Sequence, residues 1–80
     1  MKARVIVTLK SGVLDPQGQA IEGSLSSLGF AGVDAVRQGK VFDIELDETD
    51  KELAQSDLTA MCDKLLANTV IENYKIEIIS

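Results

Sequence analysis

The chain of 80 residues has no histidine, no tryptophan and one cysteine, and its aromatic side chains are one tyrosine and two phenylalanines. Without histidine, the chain lacks the usual general base, a common metal ligand and the Ser-His and Cys-His nucleophile systems. A single cysteine forms no internal disulfide, which is typical of the reducing cytoplasm. With so few aromatic rings, we expect a core of valine, isoleucine and leucine.

Positive charge and long apolar runs are also scarce. Thirteen acidic residues against eight basic ones give a net charge of −5, which repels polyanions and argues against nucleic acid as a partner. No apolar run is long enough for a membrane span, and the first residues lead into a strand rather than a signal peptide. The length fits a single domain over residues 1–80, which we expect to be cytoplasmic.

Apolar periodicity predicts the element order β-α-β-β-α-β. Asp15 is predicted to cap the first helix, and Pro16 fits its first position, where no N–H is needed. Thr49 and Glu52 match a capping box for the second helix, which is expected to end at Asn68. The predicted strands cover residues 3–9, 33–37, 41–46 and 74–79, with a hairpin turn at residues 38–40.

This order predicts an α+β fold of the ferredoxin-like type, with a four-stranded antiparallel sheet and both helices on one face. The other face of the sheet would then be bare, with Ile6, Val41 and Ile79 among charged neighbours. A half-apolar open face on so small a domain favours self-association. We therefore predict a homodimer or a larger assembly.

A search for chemistry finds no active site. Cys62 lies on the apolar stripe of the second helix and is interpreted as a buried, unreactive thiol. The acidic residues from Asp47 to Glu52 lack the spacing and the glycine of a calcium loop. The corner with Gly12 and Gly18 matches no phosphate-binding motif. No catalytic residue, metal or cofactor is predicted.

Two other segments have both a structural and a functional interpretation. Arg37 and Lys40 flank the predicted hairpin turn, either as a solvated tip or as a contact for a partner's carboxylate or a phosphate. Residues 68–74 place two apolar residues and a tyrosine directly after a helix end. That loop either packs on the domain or is reserved for a partner.

Four segments together resemble a known family over essentially the whole chain. They are VLDPQG at 13–18, LGF at 28–30, VRQGK at 36–40 and CDKLLANTVIENY at 62–74. In this order they are similar to PurS, the small subunit of phosphoribosylformylglycinamidine synthase in purine biosynthesis. The resemblance implies an accessory subunit without catalytic residues of its own, in an ATP-dependent complex that takes ammonia from glutamine.

The resemblance also implies partners and a mechanism. The chain would form a homodimer or homotetramer, with sheets combined across the two copies of a dimer. It would hold a glutaminase subunit and a large synthetase subunit together so that ammonia passes between them. The candidate partner-contact residues are Asp15, Pro16, Gln17, Gly18, Arg37, Gly39, Lys40, Asn68, Glu72 and Tyr74.

Two other classes share the predicted topology. A regulatory domain of the ACT type would bind an amino acid between two copies, and it often has a glycine at the first strand–helix corner. An acylphosphatase-like enzyme would need an arginine in its first loop, and the segment KSGVL at 10–14 has none. We therefore rank an adaptor first, a regulatory domain second and an enzyme third.

Overall fold

The computed structural model describes residues 1–80 and contains a three-stranded antiparallel sheet. The strands are β1 (Lys2–Leu9), β2 (Lys40–Glu45) and β3 (Glu72–Ile78), in the order β2-β1-β3. The helices are α1 (Pro16–Ser27) and α2 (Lys51–Met61), and a π-helical turn (Cys62–Leu66) extends α2. The α+β class and the strands predicted nearest β1, β2 and β3 are confirmed, whereas the prediction of four strands is wrong.

The hydrophobic core lies between β1 and the α2 segment. Ala3, Val5 and Val7 alternate along β1 with more exposed residues and are buried, as the period-two pattern predicts. Leu58 and Cys62 are fully buried against them. Half-buried side chains from β2, β3 and the end of α2 surround this cluster: Phe42, Ile44, Leu46, Met61, Leu66, Tyr74, Ile76 and Ile78. We call the sheet, α2 and the π-helical turn the sheet layer.

The cap of α2 is Asp50 rather than the predicted Thr49. The Asp50 carboxylate accepts the Glu52 N–H at 2.9 Å and the Leu53 N–H at 3.4 Å. The N–H of Thr49 instead donates to the Glu48 carboxylate at 3.0 Å. An aspartate satisfies the open N–H groups of the first turn and also places its negative charge at the positive end of the helix.

The second helix ends earlier than predicted, at Met61 rather than near Asn68. The π-helical turn follows, and the Ala67 N–H donates to the Cys62 carbonyl oxygen at 3.0 Å. Both Cys62 and Ala67 are buried. Because a π-helical turn brings residues five apart onto one side, it lets both face the core.

Residues 10–39 form an arm that leaves the sheet at the end of β1 and returns to it at β2. The predicted strand at 33–37 and the predicted hairpin turn at 38–40 are absent from the sheet, because this segment returns along α1 instead of pairing with β2. The arm gives the chain dimensions of 49 × 26 × 15 Å and a radius of gyration of 16.1 Å. A compact domain of 80 residues would have about 12 Å.

The prediction that both helices cover one face of the sheet is wrong for α1. Only Gly18 of this helix is buried. The arm therefore exposes large apolar side chains that a ferredoxin-like domain would place over its own sheet: Leu14, Ile21, Leu28, Phe30 and Val33. Neither helix is long and apolar enough to cross a lipid bilayer.

Candidate functional site: the junction of the arm and the sheet layer

Asp15 holds the two sides of the arm together. Its Oδ1 accepts the Gly18 N–H at 2.8 Å, which caps α1 as predicted, and its Oδ2 accepts the Gln38 N–H at 2.8 Å. The residue is buried. These hydrogen bonds, that from Gln38 first, keep the pKa of the Asp15 carboxyl below its usual value. The charged carboxylate is therefore an internal anchor.

The turn after Asp15 leaves no room for a side chain at Gly18. A Cβ atom there would collide with the Val36 carbonyl oxygen and lie 2.7 Å from Asp15 Oδ2. This close approach explains the glycine better than a ligand does. Pro16 occupies the first helical position, as predicted, and its neighbour Gln17 is exposed.

We call residues 31–39, by which the arm returns to the sheet, the returning segment. Two further side-chain interactions attach it to the first half of the arm. The Glu22 carboxylate accepts the Val36 N–H at 2.7 Å. The Arg37 guanidinium donates to the carbonyl oxygens of Val13 at 2.8 Å and Lys10 at 3.1 Å. Arg37 therefore braces the arm rather than standing at the tip of a hairpin.

A cavity of about 310 Å³ lies where the arm meets the sheet layer. We call it the junction cavity. Its lining residues are Val7, Leu9, Val13, Leu14, Asp15, Pro16, Gln17, Gln38, Gly39, Lys40, Ile71 and Glu72. The structure thus brings six of the ten candidate contact residues to one concavity, with Gly18 and Arg37 next to it in the chain.

Gly39 and Lys40 line the junction cavity beside β1. A Cβ atom on Gly39 would lie 2.6 Å from the Val7 carbonyl oxygen, so the backbone there approaches the strand closely. Lys40 Nζ lies 3.5 Å from Glu72 Oε2, and the Glu72 side chain is mostly buried while that of Lys40 is largely exposed. Lys40 is thus partly neutralised within the chain.

The loop before β3 is folded on itself. The Asn68 N–H donates to Glu72 Oε1 at 2.6 Å, and Asn68 Oδ1 accepts the Val70 N–H at 3.2 Å. Glu72 therefore links this loop to Lys40 and the junction cavity. Val70 remains 80% exposed at its tip.

Tyr74 does not line the junction cavity, although it pairs in the sheet with Val7, which does. Its hydroxyl donates to Asp63 Oδ1 at 2.9 Å, and its ring is half-buried against the core. The carboxylate of Asp63 raises the pKa of the Tyr74 hydroxyl. Burial raises the pKa of the neighbouring Cys62 thiol, which is consistent with its interpretation as an unreactive core residue.

Sequence reasoning missed part of this site. Leu9, Val13 and Leu14 line the junction cavity, and Glu22 fixes the arm. In the sequence, these apolar residues indicate only a strand end and a turn. Glu22 gave no signal because its partner is a backbone N–H fourteen residues away.

Comparisons with known proteins agree over almost the whole chain. The family profile of PurS, phosphoribosylformylglycinamidine (FGAM) synthase, matches residues 2–80. A Synechocystis protein, FGAM synthase subunit PurS, is 51% identical over 94% of this chain and 75% of its own length. A solved structure of Bacillus subtilis PurS is 43% identical, with a TM-score of 0.88 over 99% of this chain and 98% of that one.

A further solved structure, PurLQS from Thermotoga maritima, contains a chain that is 34% identical to this one. Its TM-score is 0.85, and the match covers 95% of this chain and 93% of that one. The resemblance seen in the four sequence segments is therefore confirmed. The chain belongs to the PurS family of FGAM synthase subunits.

Proposed function

We propose that this chain is a non-catalytic accessory subunit of FGAM synthase in purine biosynthesis. It bridges a glutaminase subunit and a large ATP-dependent synthetase subunit in the cytoplasm and supports the passage of ammonia between them. The observation that carries the proposal is the match over 95% of the chain to a PurLQS chain.

The chemistry of the junction supports an adaptor rather than a catalyst. The Asp15 carboxylate is occupied by two backbone N–H groups, and the Arg37 guanidinium donates to two carbonyl oxygens. The thiol of Cys62 is buried, with its pKa raised. Groups of the kind that enzymes use for acid–base or nucleophilic steps are thus engaged in holding this shape.

An elongated shape suits a bridging role. At 49 Å, the chain is about three times as long as its 15 Å thickness, so its two ends can meet different partners. Ammonia in bulk water is protonated and diffuses away. Its transfer therefore requires alignment and enclosure of two active sites, which are contributions of position rather than of reactive side chains.

The proposed contact surfaces are the corner at residues 15–18, the segment at 37–40 and the loop at 68–74. Lys40 and the outward face of Arg37 would meet partner carboxylates or nucleotide-linked groups, and Pro16 and Gln17 would pack beside them. Tyr74 contributes through the edge of its half-buried ring. These surfaces surround or adjoin the junction cavity.

The adaptor is proposed to act as a homodimer or homotetramer. Val41 and Ile79 are 58% and 55% exposed on the sheet face opposite α2. The arm exposes a second apolar surface, of which Leu28 and Phe30 are members. A monomer of this size with so little buried surface would be marginally stable, so covering these side chains also stabilises the fold.

Reconstitution with the two partner enzymes of the same organism tests the proposal. FGAM synthesis is measured with glutamine and, separately, with free ammonia as the nitrogen source. We expect that leaving out this chain abolishes the glutamine-supported rate while the ammonia-supported rate falls less. Equal glutamine-supported rates with and without the chain would refute an adaptor role.

The contact surface is tested by Arg37→Ala, with Lys51→Ala as a control that removes one exposed positive charge at the far end of the molecule. We expect weaker complex formation and a lower glutamine-supported rate for Arg37→Ala only. Hydrogen exchange at the Val36 and Gln38 N–H groups of the free protein separates this from loss of the arm. If both variants support wild-type assembly and turnover, Arg37 is no partner contact.

An ACT-like regulatory domain is the second candidate, favoured by the junction cavity at the first strand–helix corner. Its volume of about 310 Å³ lies at the lower end of the range of small-molecule pockets. A thermal-shift screen with the amino acids discriminates between the two. A rise in melting temperature with one amino acid would support regulation, and none is expected for the adaptor.

A further inference from the structure

Two loops meet at the end of the sheet layer where the arm begins. The Lys10 N–H donates to the Ile71 carbonyl oxygen at 2.8 Å, and the Val13 N–H donates to the Lys10 carbonyl oxygen at 3.2 Å. Leu14 and Ile71 line the junction cavity from the two loops and are 65% and 38% exposed. The neighbouring Val70 is also exposed. Large apolar side chains at this cavity therefore face solvent.

The acidic groups of the junction cavity are already occupied. Asp15 is buried, and each of its two carboxylate oxygens accepts a backbone N–H. Glu72 accepts the Asn68 N–H with one oxygen and pairs with Lys40 through the other. Neither carboxylate is thus free to bind a cation or to orient a small polar molecule, which needs several convergent polar groups. An apolar group gains most by entering such a cavity.

The basic groups beside the junction cavity are exposed. Arg37 forms no ion pair within the chain. Its two hydrogen bonds to the arm use only part of the five N–H donors of a guanidinium. The Lys40 side chain is 58% exposed, whereas that of its partner Glu72 is 11% exposed. Because the acids are buried and the bases exposed, the surroundings of the cavity present positive charge to an approaching surface.

We propose that the junction cavity receives an apolar side chain of one of the two partner subunits, and that a carboxylate beside this side chain pairs with Lys40 and Arg37. The cavity of about 310 Å³ is large enough for one aliphatic or aromatic side chain. Buried anchors in such pockets, surrounded by weaker contacts that exclude water, dominate binding at many protein interfaces. This deepens the proposed function and rests on it, because the partner is taken to be a subunit of the same synthase.

A second copy of this chain fits the junction cavity less well than another subunit does. A two-fold contact centred on the cavity would bring Lys40 and Arg37 of one copy close to the same cations of the other, and like charges repel. A contact between copies that is not two-fold leads to a ring or a filament rather than a dimer. The apolar side chains proposed for self-association, such as Phe30 and Ile79, do not line the cavity. Self-association through them leaves the cavity to a different partner.

Binding measured at several salt concentrations separates the apolar and ionic parts of the contact. The dissociation constant of the chain from the two partner enzymes is measured by titration calorimetry. Leu14→Ala removes apolar contact and is expected to weaken binding about tenfold at every salt concentration. Lys40→Gln removes one charge and is expected to weaken binding about threefold at low salt and to make it less sensitive to salt.

Matched controls lie at the opposite end of the strands. Leu53→Ala and Lys51→Gln each truncate or neutralise an exposed side chain in the first turn of α2, and both are expected to bind as the wild type does. Wild-type binding by Leu14→Ala would overturn the apolar anchor. A wild-type response to salt in Lys40→Gln would overturn the ionic part of the proposal.

Site-specific cross-linking identifies the occupant even if Leu14→Ala changes the shape of its loop. Leu14 is replaced by the photoreactive residue p-benzoylphenylalanine, and the reconstituted synthase is illuminated. The expected product joins this chain to the glutaminase or the synthetase subunit, and the same replacement at Leu53 is expected to give none. A product that joins two copies of this chain would overturn the proposal. So would a rise in melting temperature with an amino acid that is lost in Leu14→Ala, because a small ligand would then occupy the cavity.

The contact at the junction cavity and the adaptor role fail in different ways. If Leu14→Ala and Lys40→Gln change binding as expected but glutamine-supported synthesis proceeds without the chain, the adaptor role is wrong and the contact stands. If the reconstituted synthase needs the chain but both variants bind as the wild type does, the contact is wrong and the adaptor role stands.

Discussion

The sheet layer and the arm are stabilised by different forces. In the sheet layer, Val5, Val7 and Leu58 exclude water from a continuous apolar core. The arm buries only Asp15 and Gly18. It keeps its shape because backbone N–H groups donate to two carboxylates and a guanidinium donates to backbone carbonyl oxygens. Hydrophobic burial is non-directional, whereas hydrogen bonds fix orientation.

The difference indicates which part carries stability and which carries position. Fully burying one aliphatic side chain contributes about 1.5–3 kcal/mol, and a typical hydrogen bond nets about 0.5–1.5 kcal/mol. The sheet layer therefore holds most of the free energy of unfolding of a single copy. The arm is oriented by hydrogen bonds rather than held by apolar packing. This is the property needed by a segment that packs against another chain.

The largest expected effect is from Leu58→Ala in the sheet layer. Leu58 is fully buried, so its truncation leaves a cavity and should lower the free energy of unfolding by about 2–5 kcal/mol. Urea denaturation followed by circular dichroism measures this. The matched control is Leu28→Ala in the arm, where the side chain is 73% exposed. Under conditions where the protein is monomeric, it should change stability by less than about 0.5 kcal/mol.

The outcome would also test the proposed division between the two regions. Comparable losses for Leu58→Ala and Leu28→Ala in the monomer would mean that the arm packs on its own sheet layer. A loss for Leu28→Ala that grows with protein concentration would instead indicate that another copy covers this side chain.

The next effect is from Gly18→Ala, which acts on the anchor of the arm. The new methyl group would collide with the Val36 carbonyl oxygen and crowd Asp15, so a loss of about 1–3 kcal/mol is expected. Gly23→Ala lies in the same helix with open space around it. It should stabilise the protein by up to about 1 kcal/mol through helix propensity.

Thermal unfolding of the two glycine variants measures both expected changes in stability. If Gly18→Ala were as well tolerated as Gly23→Ala, the contact between α1 and the returning segment would not be a constraint on the arm. The Gln38 N–H, followed by hydrogen exchange, should lose protection in Gly18→Ala and keep it in Gly23→Ala.

The sheet layer was largely predictable because its signals are local and periodic. Alternating apolar residues in β1 and β3 place one face in the core, and the core face of β2 follows from Phe42 and Ile44. The error at Thr49 was one residue, because Asp50 is an equally good cap. The π-helical turn at Cys62 has no comparable signature in sequence.

The arm was not predictable in the same way, because its geometry depends on contacts distant in sequence. The strand propensity of residues 33–37 is real, but the structure pairs one edge with Asp15 and Glu22 instead of with β2. Periodicity cannot report that a strand lacks a neighbour in its own chain. For the site, Asp15 and Arg37 were identified as residues, but their roles as internal anchors required the structure.

Asp15→Ala should have a smaller effect than Gly18→Ala, since it removes contacts without adding a clash. The α1 cap and the bond from Gln38 are both lost, so the melting temperature should fall by a few degrees. Because the folded pKa of Asp15 is lowered, the wild-type advantage is fully present above the ordinary value of 3.8. It should shrink as the pH falls through the lower folded pKa.

Melting curves of wild type and Asp15→Ala between neutral pH and pH 2 check both the fall in melting temperature and its pH dependence. The melting temperatures of the two proteins should converge as the solution becomes more acidic. A gap that stays constant down to the lowest pH would mean that the carboxylate charge contributes nothing to anchoring the arm.

The smallest expected effect is from Tyr74→Phe, at the border between the two kinds of stabilisation. The ring packs on the core and should stay in place, while the bond from the hydroxyl to Asp63 is lost at the surface. We expect a change in melting temperature of no more than about one or two degrees. Because the bond with Asp63 raises the Tyr74 pKa, the pKa of the phenol in the wild type should lie above its ordinary value of 10, and Asp63→Asn should return it towards that value. A phenol that titrates at its ordinary pKa in the wild type would show that the hydroxyl is not bonded to Asp63. The hydroxyl would then be available to a partner.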